Sequence, residues 1–125
     1  MARQILDELH IHPAIRQTVS VHFRDTVQEV QTAIAQHRIV VVGMSGNPVV
    51  KKARRLLKAH ELDLQYLEYG SYFSQWRRRN SLKMWTGWPT FPMVFVDGVL
   101  VGGYKDLKAL ADAGELGRML ATIRS

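Results

Sequence analysis

Few side chains in this sequence could carry chemistry. Its 125 residues include no cysteine and five histidines, so a thiolate nucleophile, a disulfide and a thiolate metal ligand are excluded for it. His10 and His12 have a spacing that could suit a metal, but Pro13 follows them and no third ligand is fixed nearby, so we expect no metal site. Ser45 has no histidine or carboxylate in its own loop to activate the hydroxyl. We therefore predict no catalytic side chain.

Positive charge is the second chemical feature of the sequence. The net charge is +6, and the cations concentrate in two runs, which are Lys51-Lys52-Ala53-Arg54-Arg55 with Lys58, and Arg77-Arg78-Arg79. Each run is compatible with a solvated helix face or with a site for a carboxylate, a phosphate or nucleic acid. No repeated aromatic platform accompanies them, as base recognition generally requires. We expect no nucleic-acid partner.

Length and composition favour one folded domain. Apolar residues make up 46% of the chain, and no apolar run approaches the ~20 residues of a membrane helix. Asp7 and Glu8 lie where a secretory signal would need apolar residues, so we expect a cytoplasmic protein without membrane contact. We interpret residues 1–24 as an N-terminal extension and residues 25–125 as the domain.

The extension and the start of the domain are expected to be helical. Residues 3–9 can form a short helix, and Pro13 is expected to interrupt any regular element near Ile11. Thr26 to Glu29 have capping-box spacing, which predicts a helix from about Asp25 to about His37.

Strand and helix signals then alternate along the chain. Ile39–Val42 predicts a strand buried on both faces, and Pro48 suits the first position of a helix that turns Val50, Ala53 and Leu57 inward. Further on, the patterns predict a strand at 64–67, a helix from Ser71 to about Met84, a hairpin of strands 93–96 and 99–101 around Asp97-Gly98, and two short terminal helices. The first strand–helix–strand unit should be parallel and right-handed. The fold class is therefore α/β, a mixed four-stranded sheet flanked by helices, with a helical N-terminal extension.

Three segments carry a resemblance to a known family. They are Trp85-Thr86-Gly87-Trp88-Pro89-Thr90-Phe91-Pro92, then Val94-Phe95-Val96-Asp97-Gly98, and then Val101-Gly102-Gly103. At these separations the chain resembles the glutaredoxins, which have a thioredoxin-like fold, over roughly residues 26 to 121. The resemblance implies a cis peptide bond between Phe91 and Pro92.

The same resemblance places the family's redox loop on residues without sulfur. Asn47-Pro48-Val49-Val50 stands where glutaredoxins have Cys-Pro-x-Cys, so Asn47 replaces the nucleophile and Val50 the resolving residue. Thiol–disulfide exchange and iron–sulfur ligation both require a thiolate. The chain's own side chains therefore cannot perform either.

The resemblance also implies a groove that binds glutathione in relatives. Arg79 resembles the arginine for the glycyl carboxylate, the Phe91 backbone would pair with the cysteinyl backbone, and Gly103 and Tyr104 would present backbone groups to the γ-glutamyl end. Lys51, a cation near the start of the helix from Pro48, could assist an anion. With it included, the predicted site residues of this glutathione-like groove are Asn47, Lys51, Arg79, Phe91, Pro92, Gly103 and Tyr104.

Two departures from the family pattern should weaken glutathione binding. Met44 stands where the family usually has a lysine, and Lys105 stands where it usually has an aspartate, with Asp106 one step later. The N–H groups at the start of the helix from Pro48 are expected to be free and to offer a modest site for another carboxylate or phosphate. The expected ligand is thus glutathione or another small anion, and no other cofactor is implied.

Two functions are compatible with these residues. In one, the chain is a glutaredoxin-related binding or interaction module that has lost catalysis and uses the remaining groove for a small anion or a protein partner. In the other, it belongs to a related group that acts in thiol redox or iron–sulfur metabolism, with the thiol supplied by glutathione or a partner.

Overall fold

The structure, a computed structural model, describes residues 3–121 apart from the side chains of residues 19–23. A short 3-10 helix, Glu8–His10, precedes five α-helices and four strands within this range. In chain order these are α1 (Pro13–Gln36), β1 (Ile39–Gly43), α2 (Pro48–Ala59), β2 (Gln65–Glu68), α3 (Trp76–Thr86), β3 (Met93–Val96), β4 (Val99–Gly102), α4 (Tyr104–Asp112) and α5 (Glu115–Ala121).

The four strands form one mixed sheet, as the sequence predicts. Their order is β2-β1-β3-β4, and β1 pairs parallel with β2 and antiparallel with β3. All five residues of β1 are buried, which explains the continuous β-branched run. A strand near the middle of the sheet has helices on both faces and needs apolar side chains on each.

The hairpin between β3 and β4 turns at the predicted dipeptide. Asp97 and Gly98 have φ values of 48° and 79°, and two positive φ angles define the type I′ turn that suits the twist of paired strands. The Asp97 N–H donates to the Arg38 carbonyl at 2.7 Å, so the turn is also tied to the residue before β1.

The sheet separates two apolar clusters. Alternate sheet residues, such as Val40 and Phe95, pack with side chains of α1 and α3. Their neighbours Val41 and Val94 pack with Leu57 of α2 and with residues of α4 and α5. Because successive side chains of a strand point to opposite faces, one sheet serves both layers.

The first helix begins earlier than the sequence predicts. It starts at Pro13, and the expected start near Asp25 is wrong. The Nδ1 atom of His12 accepts a hydrogen bond from the Ala14 N–H at 3.0 Å, and proline is favourable at the first helical position because it has no N–H to satisfy. Pro13 therefore starts a helix rather than interrupting one. The short helix expected at residues 3–9 is wrong, because the structure has only a 3-10 turn there, Glu8–His10, which begins at the end of that range.

The third helix begins later than expected. It starts at Trp76 rather than Ser71. The Ser71 Oγ accepts instead from the Phe73 N–H, and Ser74 Oγ accepts from the Ser71 N–H, so these hydroxyls stabilise a turn. Among the helices of residues 3–121, none has both the length and the apolar character that a bilayer span requires.

Candidate functional site

The sheet topology brings the groove residues to one edge. β1 and β2 are parallel, so their carboxyl ends share an edge, and the antiparallel pairing places the start of β3 and the end of β4 at that same edge. Asn47 follows β1, Phe91 and Pro92 precede β3, and Gly103 and Tyr104 follow β4. The connections thus assemble residues that lie up to 57 positions apart in the sequence.

Asn47 is the N-cap of α2. Its Oδ1 accepts hydrogen bonds from the Val49 and Val50 N–H groups at 2.9 and 3.3 Å, and its carbonyl accepts from the Lys51 N–H at 3.3 Å. Pro48 has no N–H to offer. The expectation of free N–H groups at the start of this helix is therefore wrong, because asparagine is among the strongest N-caps and satisfies them within the chain.

The peptide bond between Phe91 and Pro92 is cis, as the resemblance implies. Both residues are buried. A Cβ atom added to Gly103 would lie 3.6 Å from the Pro92 carbonyl oxygen and 3.8 Å from the Trp88 Nε1. The start of α4 thus packs directly beside the proline. The Trp88 Nε1 is buried without a hydrogen-bond partner among the described residues.

Asp106 closes the start of α4. Its Oδ2 accepts from the Gly103 N–H at 3.0 Å, so that amide is bonded within the chain. In the comparison with the family pattern Asp106 is only a displaced aspartate, and its capping role was not predicted. The signal was present, because an acidic side chain three residues after a helix cap has capping-box spacing.

Arg79 has partners within the chain. The residue is 7% exposed, and its Nη1 donates to the carbonyls of Tyr69, at 2.9 Å, and Ser74. Tyr69 in turn donates its N–H to the Gly43 carbonyl at 2.9 Å. The guanidinium therefore fixes the chain that leaves β2 beside the groove edge, and its role towards a ligand carboxylate stays a prediction.

Met44, which replaces the family's lysine, and Lys51 differ in exposure. Met44 is buried at 6% exposure and belongs to the apolar cluster under α1. Lys51 is exposed on the first turn of α2. The position of the missing lysine is thus filled by a core side chain, and Lys51, on the first turn of α2, is a cation near this edge.

A buried tyrosine supports the loop beside the groove. The Tyr69 hydroxyl donates to the Glu29 carboxylate at 2.9 Å, and Arg78 forms an ion pair with that carboxylate at 2.6 Å. Burial, followed by the bond to Glu29, raises the pKa of Tyr69 well above its usual value. The described residues hold no group of three or more histidine, aspartate or glutamate side chains placed to bind a metal ion.

Comparisons with known proteins agree on one family. A family model described as Glutaredoxin matches residues 39–101. A glutaredoxin-like protein of Dictyostelium discoideum is 49% identical over 88 residues, which are 70% of this chain and 72% of that protein. A probable monothiol glutaredoxin of Rickettsia prowazekii is 47% identical over 45 residues, covering 36% of this chain and 42% of that protein.

Solved structures agree on the fold. The crystal structure of a buckwheat glutaredoxin–glutathione complex matches with a TM-score of 0.72 at 22% identity, over 81% of this chain and 92% of that one. Oxidized glutaredoxin 2 from Chlamydomonas reinhardtii matches with a TM-score of 0.67 at 26% identity, over 78% and 92%.

Proposed function

Because this chain belongs to the glutaredoxin family and has no cysteine, we propose that it is a non-catalytic binding module. Its groove holds glutathione or another small anion and serves as the contact for a protein partner. Exchange chemistry by its own side chains is excluded, since no residue can form the thiolate that attacks a disulfide.

One observation carries this proposal, namely that Asn47 caps α2 at the position of the family's nucleophile. Asn47 Oδ1 bonds the Val49 and Val50 N–H groups, so the residue that replaces the nucleophile stabilises the helix start. An amide neither ionises near neutral pH nor attacks sulfur. The loop before α2 is therefore stabilised although it has no thiol, and this favours a retained binding role over catalysis.

The proposed ligand contacts follow the groove edge. The Phe91 backbone, next to the cis Pro92, would pair with the extended backbone of a tripeptide, as an added strand does. Lys51 and Arg79 would attract its carboxylates, and the Gly103–Tyr104 backbone would bind the opposite end. Because the Gly103 N–H is bonded to Asp106, Tyr104 is the stronger of those two donors.

Isothermal titration calorimetry with glutathione, glutathione disulfide and phosphate tests this proposal. We expect saturable binding of glutathione, binding of phosphate at least tenfold weaker, and a severalfold loss of glutathione affinity in Lys51→Gln. Lys108→Gln is the matched control, because it removes an exposed cation from α4 that lies outside the groove set. Binding of phosphate alone would assign the groove to another small anion, and no saturable binding of glutathione, glutathione disulfide or phosphate contradicts the proposal.

A second function is favoured by the names of some relatives. Several of them are monothiol glutaredoxins, including the Rickettsia protein and an uncharacterized one of Caenorhabditis elegans at 26% identity over 98 residues. In this alternative the chain acts in thiol redox or iron–sulfur metabolism, with the thiol supplied by glutathione or a partner. Reduction of a glutathionylated peptide by the purified chain and glutathione, above the rate with glutathione alone, would favour it over the non-catalytic module.

A further inference from the structure

Helix α2 carries an unusual concentration of cations. Five of the eight residues from 51 to 58 are lysine or arginine, and the helix contains no acidic residue. At about 100° per residue all five lie within an arc of about 160°, opposite the buried Val50, Ala53 and Leu57. We call this set the α2 cations: Lys51, Lys52, Arg54, Arg55 and Lys58.

No described carboxylate neutralises the α2 cations. The ion pairs within the described residues join other side chains. Glu61 and Asp63 precede β2 and Glu68 ends it, but none of them forms an ion pair with α2. Concentrated, unpaired positive charge favours an anionic partner.

Strand β2 lies against one of these cations, Arg54, and has one open edge. It is the outer strand of the sheet, and β1 is its neighbour on the inner side. Arg54 connects the two features, because its guanidinium carbon lies 4.0 Å from the centroid of the Tyr66 ring in β2. The outward N–H and C=O groups of an edge strand can pair with another extended chain.

From this juxtaposition we propose that the outer edge of β2 and the α2 cations bind an extended acidic segment of a partner protein. The segment would add a strand next to β2, and its alternate side chains would point to the α2 side of the sheet. The α2 cations span about 10 Å, close to the length of a four-residue strand at about 3.3 Å per residue. A segment with acidic residues at every second position therefore matches both features.

Other anionic partners use only part of this surface. A nucleic acid cannot form backbone hydrogen bonds of the strand type with β2. An anionic membrane would need several large apolar side chains beside the cations, whereas Val49 is the one large apolar side chain of α2 that is more than a third exposed. This surface shares Lys51 with the groove, but Arg54, Lys58 and the edge of β2 are outside the groove set, so either proposal can fail alone.

Titration of the isotope-labelled protein by NMR tests the proposal. The probes are the capped peptide Glu-Val-Glu-Val-Glu-Val-Glu and a capped peptide of the same composition in blocks, Glu-Glu-Glu-Glu-Val-Val-Val. We expect the alternating peptide to bind at least fivefold more tightly and to slow hydrogen exchange of outward-facing amides at residues 65–68. The double variant Arg54→Gln, Lys58→Gln should lose about tenfold in affinity, and Lys108→Gln should stay within twofold of the parent.

Three outcomes would overturn the proposal. The first is equal affinity for the two peptides, which would indicate charge attraction without strand pairing. The second is tight binding of the alternating peptide with no protection of residues 65–68. The third is binding of oligothymidylate or phosphatidylserine vesicles, lost in the double variant, with no binding of either peptide. Circular dichroism and the unfolding midpoint establish that each variant folds.

Discussion

Asn47 satisfies the start of α2 without carrying a charge. Its Oδ1 bonds the Val49 and Val50 N–H groups, which are the groups that would otherwise stabilise an anion at this position. The resemblance to the glutaredoxins predicted that Asn47 occupies the position of the nucleophilic cysteine. Its capping geometry needed the structure, because whether a side chain turns back onto its own helix depends on rotamer and backbone together.

Replacing Asn47 by cysteine should create a reactive thiol. The N–H groups of Val49 and Val50 would then face a sulfur atom at a helix N-terminus, which lowers the pKa of a cysteine below the ordinary value of about 8.5. The rate of alkylation by iodoacetamide as a function of pH measures that pKa. Lys108→Cys, in the middle of α4, is the control and should titrate in the ordinary range. An ordinary pKa at position 47 would mean that the loop does not present the thiol to the helix.

Two tyrosines should make the fold sensitive to alkali. Burial, with a hydrogen bond to Glu68, raises the pKa of Tyr66 from 10.0 to about 12, and the pKa of Tyr69 is raised for the same kind of reason by burial and Glu29. Above pH 10 the unfolded chain loses these protons first, so the free energy of unfolding should fall as pH rises. Below pH 10 both states keep them, and no such slope is expected.

Urea unfolding between pH 8 and 11.5 checks this dependence. The double variant Tyr66→Phe, Tyr69→Phe should have a flatter profile above pH 10, because the titrating hydroxyls are gone. The variant Tyr72→Phe is the control, since Tyr72 is 61% exposed. Equal slopes in the parent and the double variant would assign the alkaline loss to other groups.

The hydrogen-bond partners of Arg79 could not be predicted from the sequence. Its place thirteen residues before Pro92 suggested a ligand contact. Its bonds to the Tyr69 and Ser74 carbonyls depend on a turn between β2 and α3 that no local pattern specifies. Asp106 is the opposite case, because its capping spacing was readable in the sequence.

At the scale of elements, the sheet was predictable and the helix starts were not. β1 and the hairpin follow from short local patterns of β-branched residues and an Asp-Gly turn. The start of α1 depended on His12 acting as a cap through its Nδ1, and the start of α3 depended on Ser71 and Ser74 bonding within a turn. In both cases a polar side chain could cap a helix or bond elsewhere, and the sequence alone does not decide which of the two occurs. The boundary at residue 24 lies within α1, and the division into extension and domain stays a prediction.

The approach of α2 to β1 depends on Gly43. A Cβ atom at this position would lie 2.6 Å from the Val50 Cγ1 and 3.1 Å from the Tyr66 Cε1. Gly43→Ala should therefore destabilise the protein by about 1–3 kcal/mol through overpacking, as measured by urea unfolding. Gly117→Ala is the matched control, because no atom beyond its chain neighbours and its own helix backbone lies within 4 Å of its added Cβ, and alanine in a helix should stabilise by about 0.5–1 kcal/mol. Equal effects of the two changes would contradict this account.

For the whole molecule, the two proposed binding surfaces are the groove at the ends of the strands and the outer edge of β2 with the α2 cations. The groove residues, Lys51 among them, lie at the edge where the strands end, and Arg54 of the α2 cations lies against Tyr66 of the outer strand β2. The net charge of +6 favours anionic partners at both places. Because Arg54 and Lys58 are outside the groove set, glutathione affinity should not change in the Arg54→Gln, Lys58→Gln variant.

One arginine links distant parts of the chain. The Arg38 guanidinium forms two parallel hydrogen bonds with the Asp97 carboxylate, at 2.8 and 2.7 Å, and its Nη1 donates to the Leu120 carbonyl at 2.9 Å. The residue before β1 is thereby joined to the hairpin turn and to α5.

Lysine has the same charge but cannot form this planar fork, so Arg38→Lys should lower the unfolding temperature by about 5 °C. Arg118→Lys, which alters an exposed pair within α5, should lower it by no more than about 1 °C. Because both changes conserve charge, equal shifts would mean that the fork contributes nothing beyond its charge.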